Sequence, residues 1–423
     1  DFGKFLSKTL GKIRDRHAYV KGYDLPESWY LPLAFAPLND QIVVINYDSA
    51  KKQYGLWNPD FPYLKSINQL PIEKILPHIL PEEALAPKHS YFTRALRTLR
   101  DIETFFSQLN LDLPNPLSIT LMNEKGEDKK VMVELVQRGK RVRLWDERFH
   151  KKDFFLKDEQ YNDQTIIEQF FTLENNIAYI RINSMVSQED SPAFFDYLNQ
   201  FMHKTRQSDA LIIDVRDNGG GVRHLIQTLA GYFVHPDSIH VVNVAKQRGQ
   251  QPLSKAPKEE LHNRYLFAQN ELDAREQQSV KQFMMSFDPM YDLDDERFSE
   301  NYFYVLNGQK LTQNKYHYDK PIYILANERT FSAASILVAV FKGLPNITIV
   351  GVNTDGSSGN SERFKLPHSA LRGKISTMVS YQKDGQLLDG IGTKPDILIE
   401  RNLDQILLKE DYQLNRVLEI INP

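Results

Sequence analysis

The sequence contains no cysteine. That one absence excludes disulfides, thiolate zinc sites, iron–sulfur clusters and a cysteine nucleophile. No apolar run approaches the roughly 18 residues of a transmembrane helix. A large excess of either charge is missing too: 52 Lys and Arg stand against 55 Asp and Glu, a formal net charge of −3. The balance argues against a strongly basic nucleic-acid binder and against an acidic tail. Gly and Pro, at 20 and 21, are too few for a collagen-like or low-complexity chain. What is present is ordinary for a folded protein: 423 residues, 41% hydrophobic and 25% charged, enough for two or three domains. A cysteine-free chain suits a periplasmic or secreted protein, although a low count by chance explains it equally well. The start at Asp1 rather than Met suits a processed form.

Three textures follow one another. Residues 1–25 carry an amphipathic helix, with Phe5, Leu6, Leu10 and Ile13 near helical spacing. Residues 26–150 mix short strands (41–47, 63–67, 117–123, 130–137) with a helix predicted over 92–109, which describes a small α+β module. From about 160 to 423 strands alternate with helices, so a mainly parallel α/β core is expected. The segment 210–216, "ALIIDVR", is almost wholly apolar, as a strand buried on both faces should be. Residues 247–318 are charged and polar and interrupt the rhythm, which predicts an insertion or a lid.

Four segments could carry chemistry. "DVRDNGGG" (214–221) runs a buried strand into three glycines and a helix, a turn able to aim N–H groups at a phosphate or a developing oxyanion. It is neither a P-loop nor a dinucleotide fingerprint, and a plain tight turn is the competing reading. In "ILANERTFSAASILVAVF" (324–341), Ser332 opens an apolar helix just past a buried strand. That is a nucleophile's place in α/β enzymes, and equally an N-cap's. "VGVNTDGSSGNSERFKLP" (350–367) is a Gly/Ser-rich loop, and "DGQLLDGIGTKPDI" (384–397) sets Asp389 among glycines, fit for an Asx-turn or an orienting carboxylate. The histidines form no metal signature, and neither a metal nor another cofactor is expected.

In this order the four segments resemble the C-terminal processing (tail-specific) serine peptidases, including the tricorn-core-like branch. The resemblance spans roughly 165–423 apart from 247–318. It implies a crotonase-like (ClpP/crotonase-type) peptidase core and a polypeptide substrate. It also makes Ser332 the nucleophile and assigns the oxyanion hole to N–H groups of Gly219, Gly220 and Ala333. Both places are helix N-termini, whose fields suit an oxyanion. The lysine base of the tail-specific branch is absent, because its position holds Ser357. The tricorn-like branch instead has a histidine early in the core. "IRDRHAYV" (13–20) maps it to His17, with Arg16 where tricorn has serine. A glutamate of that branch maps to Asp389, so the implied constellation is Ser332–His17–Asp389. "YLKSINQLPIEKIL" (63–76) resembles a PDZ-like segment with Gln69 in the glycine position. Such a module would bind a substrate C-terminus, or would only shape the cleft. The rival reading is a catalytically silent relative that binds a peptide or an apolar ligand. It rests on the missing lysine, on Arg16, and on Ser335 where many relatives have Glu.

Overall fold

The computed structural model of the protein describes residues 2–23, 28–83, 85–147, 158–313 and 315–422. The boundaries expected near residues 25 and 150 fall outside the described residues. The fold is mixed α/β.

Six strands form the central sheet, in the order Phe171–Glu174, Ile177–Arg181, Ala210–Asp214, Ile322–Ala326, Ile347–Gly351 and Ile397–Leu398. The first pair is antiparallel and the others are parallel. Every residue of Ala210–Asp214 is buried, with Leu211 and Ile213 in one apolar cluster and Ile212 in another. The loops leaving Asp214, Ala326 and Gly351 therefore emerge side by side at the carboxyl ends of neighbouring strands. Open α/β sheets place their ligands there.

Residues 247–318 are woven into the body. Tyr302–Asn307 lies beside Ile239–Gln247 in a four-stranded antiparallel sheet completed by Phe267–Ala268 and Met378–Gln382. The helix Ala274–Met284 opens with a capping box between Asp273 and Glu276.

A separate sheet holds residues 34–133, in the order Ala34–Leu38, Gln41–Asp48, Tyr63–Ile67, Leu117–Met122 and Asp128–Val133, with two short strands attached. The helix predicted over 92–109 is two helices, Lys88–Leu99 and Ile102–Gln108, broken at Arg100–Asp101. The N-terminal arm begins with the helix Phe2–Gly11 and pairs its strand Tyr19–Lys21 with Arg372–Ser376. It thereby joins a strand of the core that lies more than 300 residues further along the sequence.

Trp145 ties the N-terminal sheet to the C-terminal segment. It is 0% exposed, packs with Val43, Ile45 and Ile406, and donates from Nε1 to the Ile406 carbonyl at 3.2 Å. Trp145→Ala is expected to destabilise the chain by about 3–5 kcal/mol, the usual cost of removing a buried aromatic. Chemical denaturation checks this, and a loss below about 1 kcal/mol would mean that the two parts are not coupled there.

Candidate active site

The loop Asn327–Ser332 is held from several sides. Asn327 Oδ1 accepts from the N–H groups of Asp217 and Arg329 at 3.0 and 3.1 Å. Thr330 Oγ1 donates to the Val215 carbonyl at 2.9 Å, and Phe331 N–H donates to the Asn218 carbonyl at 2.9 Å. At its end Ser332 adopts φ +56° and ψ −128°, a sparsely populated conformation for a side-chain-bearing residue. Such strain costs about 1–3 kcal/mol and persists only where the surroundings impose it. It sets Ser332 on a sharp strand-to-helix turn at the N-terminus of the buried helix Ala333–Phe341. Ser332 makes no side-chain cap bond to that helix.

Gly220 lies directly under this turn. A Cβ there would stand 2.6 Å from Ser332 Cβ and 2.9 Å from the Phe331 carbonyl oxygen, and φ is +92°. Only glycine allows the two loops to approach so closely. The Gly220 N–H is already given to Asn218 Oδ1 at 2.8 Å. Of the three expected oxyanion donors, Gly220 thus holds the turn together, with its N–H turned inward. Among the described residues, no acceptor is found for the N–H groups of Gly219 and Ala333, and Gly219 is exposed.

The N-terminal arm brings in the histidine. His17 Nε2 lies 3.2 Å from Ser332 Oγ, and its ring stacks on Phe331 with centroids 4.7 Å apart. Its Nδ1 lies 2.6 Å from Asp15 Oδ1, which also accepts the His17 backbone N–H at 2.9 Å in an Asx-turn. Asp15 Oδ2 accepts from Ser376 Oγ at 2.8 Å. The Asp15 side chain is 1% exposed and that of His17 18%. Gly359 leaves room for the pair, since a Cβ there would collide with Asp15 Oδ2 and stand 2.9 Å from His17 Nδ1.

The carboxylate on His17 is therefore Asp15, not Asp389. Asp389 Oδ1 accepts from the Ser358 N–H at 2.8 Å and from Ser358 Oγ at 3.0 Å. Asp15 sits two residues before His17 in "RDRH", a spacing that lets an Asx-turn aim a carboxylate at the following ring. Ser357, in the position of the missing lysine, accepts the Arg16 N–H at 3.2 Å and so fastens the arm. Arg16 pairs with Asp355 at 2.8 Å, and Ser90 of the helix Lys88–Leu99 donates to the same carboxylate.

Burial, and then the charge of Asp15, push the Asp389 carboxyl well above the ordinary carboxylate range. A raised folded-state pKa means that the stabilisation is fully present below the unfolded value and is lost as pH rises through the folded one. Thermal stability of the wild type is expected to fall over that interval by up to roughly 1.4 kcal/mol per pH unit. Asp389→Asn should flatten the fall. Melting curves across pH check this, and parallel pH profiles for the two proteins would contradict it.

A family profile, Peptidase family S41, matches residues 176–399, just over half of the chain. The chain belongs to peptidase family S41. That family membership makes it a serine-type peptidase by class. A Chlamydia pneumoniae protein is 24% identical over 252 residues, 53% of this S41 chain and 40% of that protein. The chain thus spans about two fifths of the length of the curated relative it matches. The structure of mature CPAF complexed with lactacystin aligns over 98% of this chain and 88% of that one, with a TM-score of 0.59 and 17% identity. The CPAF S499A mutant aligns over 98% and 87%, with a TM-score of 0.56 and 15% identity. At these identities the likeness is one of fold. Among the described residues of this S41 chain, no helix is long and apolar enough to cross a membrane.

Proposed function

We propose that this S41 chain is a serine endopeptidase acting on unfolded polypeptides or on loose C-terminal tails of proteins. The observation that carries the reading is the line Asp15–His17–Ser332, with contacts of 2.6 and 3.2 Å, set on a strained turn at a helix N-terminus. His17 Nε2 takes the Ser332 hydroxyl proton as Oγ attacks the peptide carbonyl. Asp15 holds the other ring nitrogen and favours the imidazolium that forms. The Gly219 and Ala333 N–H groups receive the developing oxyanion, helped by the helix dipole. His17 then returns the proton to the leaving amine. Water, deprotonated by the same ring, hydrolyses the acyl-enzyme and restores Ser332.

The finer fold reading belongs with this proposal: a crotonase-like core behind a PDZ-like module. The strand–turn–helix run Tyr63–Ile67, Leu70–Pro71 and Ile72–Ile79 supports the PDZ-like part. An extracytoplasmic setting is proposed on the cysteine-free composition. The silent-relative reading loses its main support, because a histidine with its own carboxylate reaches Ser332 although Ser357 holds the lysine position.

The test is digestion of β-casein, with mass-spectrometric mapping of the new termini. Internal cleavage with regenerated enzyme is expected. Intact casein, and intact tail-bearing globular proteins, after prolonged incubation at micromolar chain would overturn the proposal.

A further inference from the structure

Ser332 and His17 arrive at the site on separate pieces of chain. Ser332 ends the loop Asn327–Ser332, and His17 stands on the N-terminal arm. They meet through the 3.2 Å contact and through Phe331, against which both the His17 ring and the Arg16 guanidinium stack. Proton transfer needs the two pieces held within hydrogen-bond reach.

A third element touches both. The helix Lys88–Leu99 buries Ala95, Leu96 and Leu99 in the apolar cluster of the N-terminal sheet. Its Ser90 and Thr93 lie three apart and so share a face, and each is 1% exposed. Thr93 Oγ1 donates to Glu328 Oε1 at 2.6 Å, and Ser90 Oγ donates to Asp355 Oδ2. Helical Ser and Thr hydroxyls commonly fold back on the carbonyl one turn earlier. These two instead reach across to carboxylates of the core, both of them buried.

Each carboxylate holds a piece of the site. Glu328 belongs to the nucleophile loop itself. Asp355 serves both pieces: its N–H donates to the Thr330 carbonyl at 3.0 Å, and its carboxylate pairs at 2.8 Å with Arg16, the neighbour of His17. Glu328 is paired with Arg401 at 2.8 Å. Burial opposes the Glu328 charge, but Arg401 and the Thr93 hydroxyl outweigh it and hold the carboxyl below its ordinary range. Hydrogen bonds to charged acceptors are short and strong, so the two hydroxyls fix where these carboxylates stand.

We propose that Ser90 and Thr93 are positioning residues that lock the nucleophile loop and the histidine arm together, so that a helix of the N-terminal module completes the active site. The inference rests on the reading of the site as a peptidase. It adds two residues that act through Glu328 and Asp355 and not on the reacting atoms.

The test uses Ser90→Ala, Thr93→Val and the double variant of the full chain, which lose hydroxyls and keep the packing. On a mapped casein peptide each single change is expected to lower kcat by about tenfold, and the double by about 10²-fold, with KM within about threefold, since small displacements of a reacting pair cost turnover. Thr93→Ser, which keeps the donor, should retain most of kcat. Rates are taken per folded chain with melting curves alongside, because a merely structural role lowers Tm and leaves kcat per folded chain unchanged. If the double variant does not fold, the single variants carry the same comparison. A kcat per folded chain within twofold of wild type, or a loss as large in Thr93→Ser as in Thr93→Val, would overturn the lock.

A second arm reads position without turnover. Crystal structures of the wild type and of the variants compare the distance from Ser332 Oγ to His17 Nε2. A pair in contact in the wild type and parted beyond about 3.5 Å in the variants supports the lock even if no hydrolysis is ever seen. A pair that stays in contact when the hydroxyls are gone overturns it whatever the activity.

Discussion

Ser332→Ala is expected to lower kcat for peptide hydrolysis by at least about 10⁴-fold while the chain stays folded. The loss follows from geometry: Ser332 Oγ is the hydroxyl in reach of His17 Nε2, at 3.2 Å. Without it no acyl-enzyme forms, and what remains is the small rate supplied by binding and the oxyanion donors. Stability should change little, because the hydroxyl caps no helix and braces no loop. The backbone strain at φ +56° is imposed by Asn218, Asn327 and Thr330 and persists in the variant. Steady-state kinetics on a mapped casein peptide, with a melting curve alongside, decide it. Activity above about 1% of wild type in a homogeneous sample would remove Ser332 from the chemistry.

Asp15→Asn should cost about 10³–10⁴ in kcat, and Asp389→Asn less than about tenfold. The difference measures which carboxylate serves the ring. Asp15 Oδ1 holds His17 Nδ1 at 2.6 Å, fixing the tautomer that leaves Nε2 free to accept the serine proton. An amide in its place offers an N–H to Nδ1 and favours the wrong tautomer. Asp389 touches Ser358, and an amide keeps the acceptor that the Ser358 N–H needs. Comparable losses in the two variants, or a larger one in Asp389→Asn, would return the orienting role to Asp389.

The core and the nucleophile were legible because their signals are local. Unbroken apolar runs marked the strands buried on both faces, and Ser332 stood at the join of strand and helix. His17 was legible only through the family pattern, since its meeting with Ser332 depends on the strand Tyr19–Lys21 adding to Arg372–Ser376. No periodicity in the sequence encodes that long-range pairing. Asp15 had a local signal two residues from His17, but it competed with a glycine-framed aspartate that looked more deliberate. Gly220 was legible as a needed glycine and not in its role, because the spending of its N–H depends on which way the Asn218 side chain turns. The polar composition of 247–318 suggested a free insertion, yet Tyr302–Asn307 is a buried-faced strand within it.

On the proposed mechanism, His17 and Asp15 make Ser332 nucleophilic. The most direct test is labelling of the intact chain with a fluorophosphonate, which reacts with activated serines, followed by peptide mapping and by rates for the variants. One adduct on Ser332 is expected, with labelling slowed by about 10³-fold or more in His17→Ala and in Asp15→Asn. An adduct on another residue, or labelling of Ser332 at equal rates in all three proteins, would contradict it.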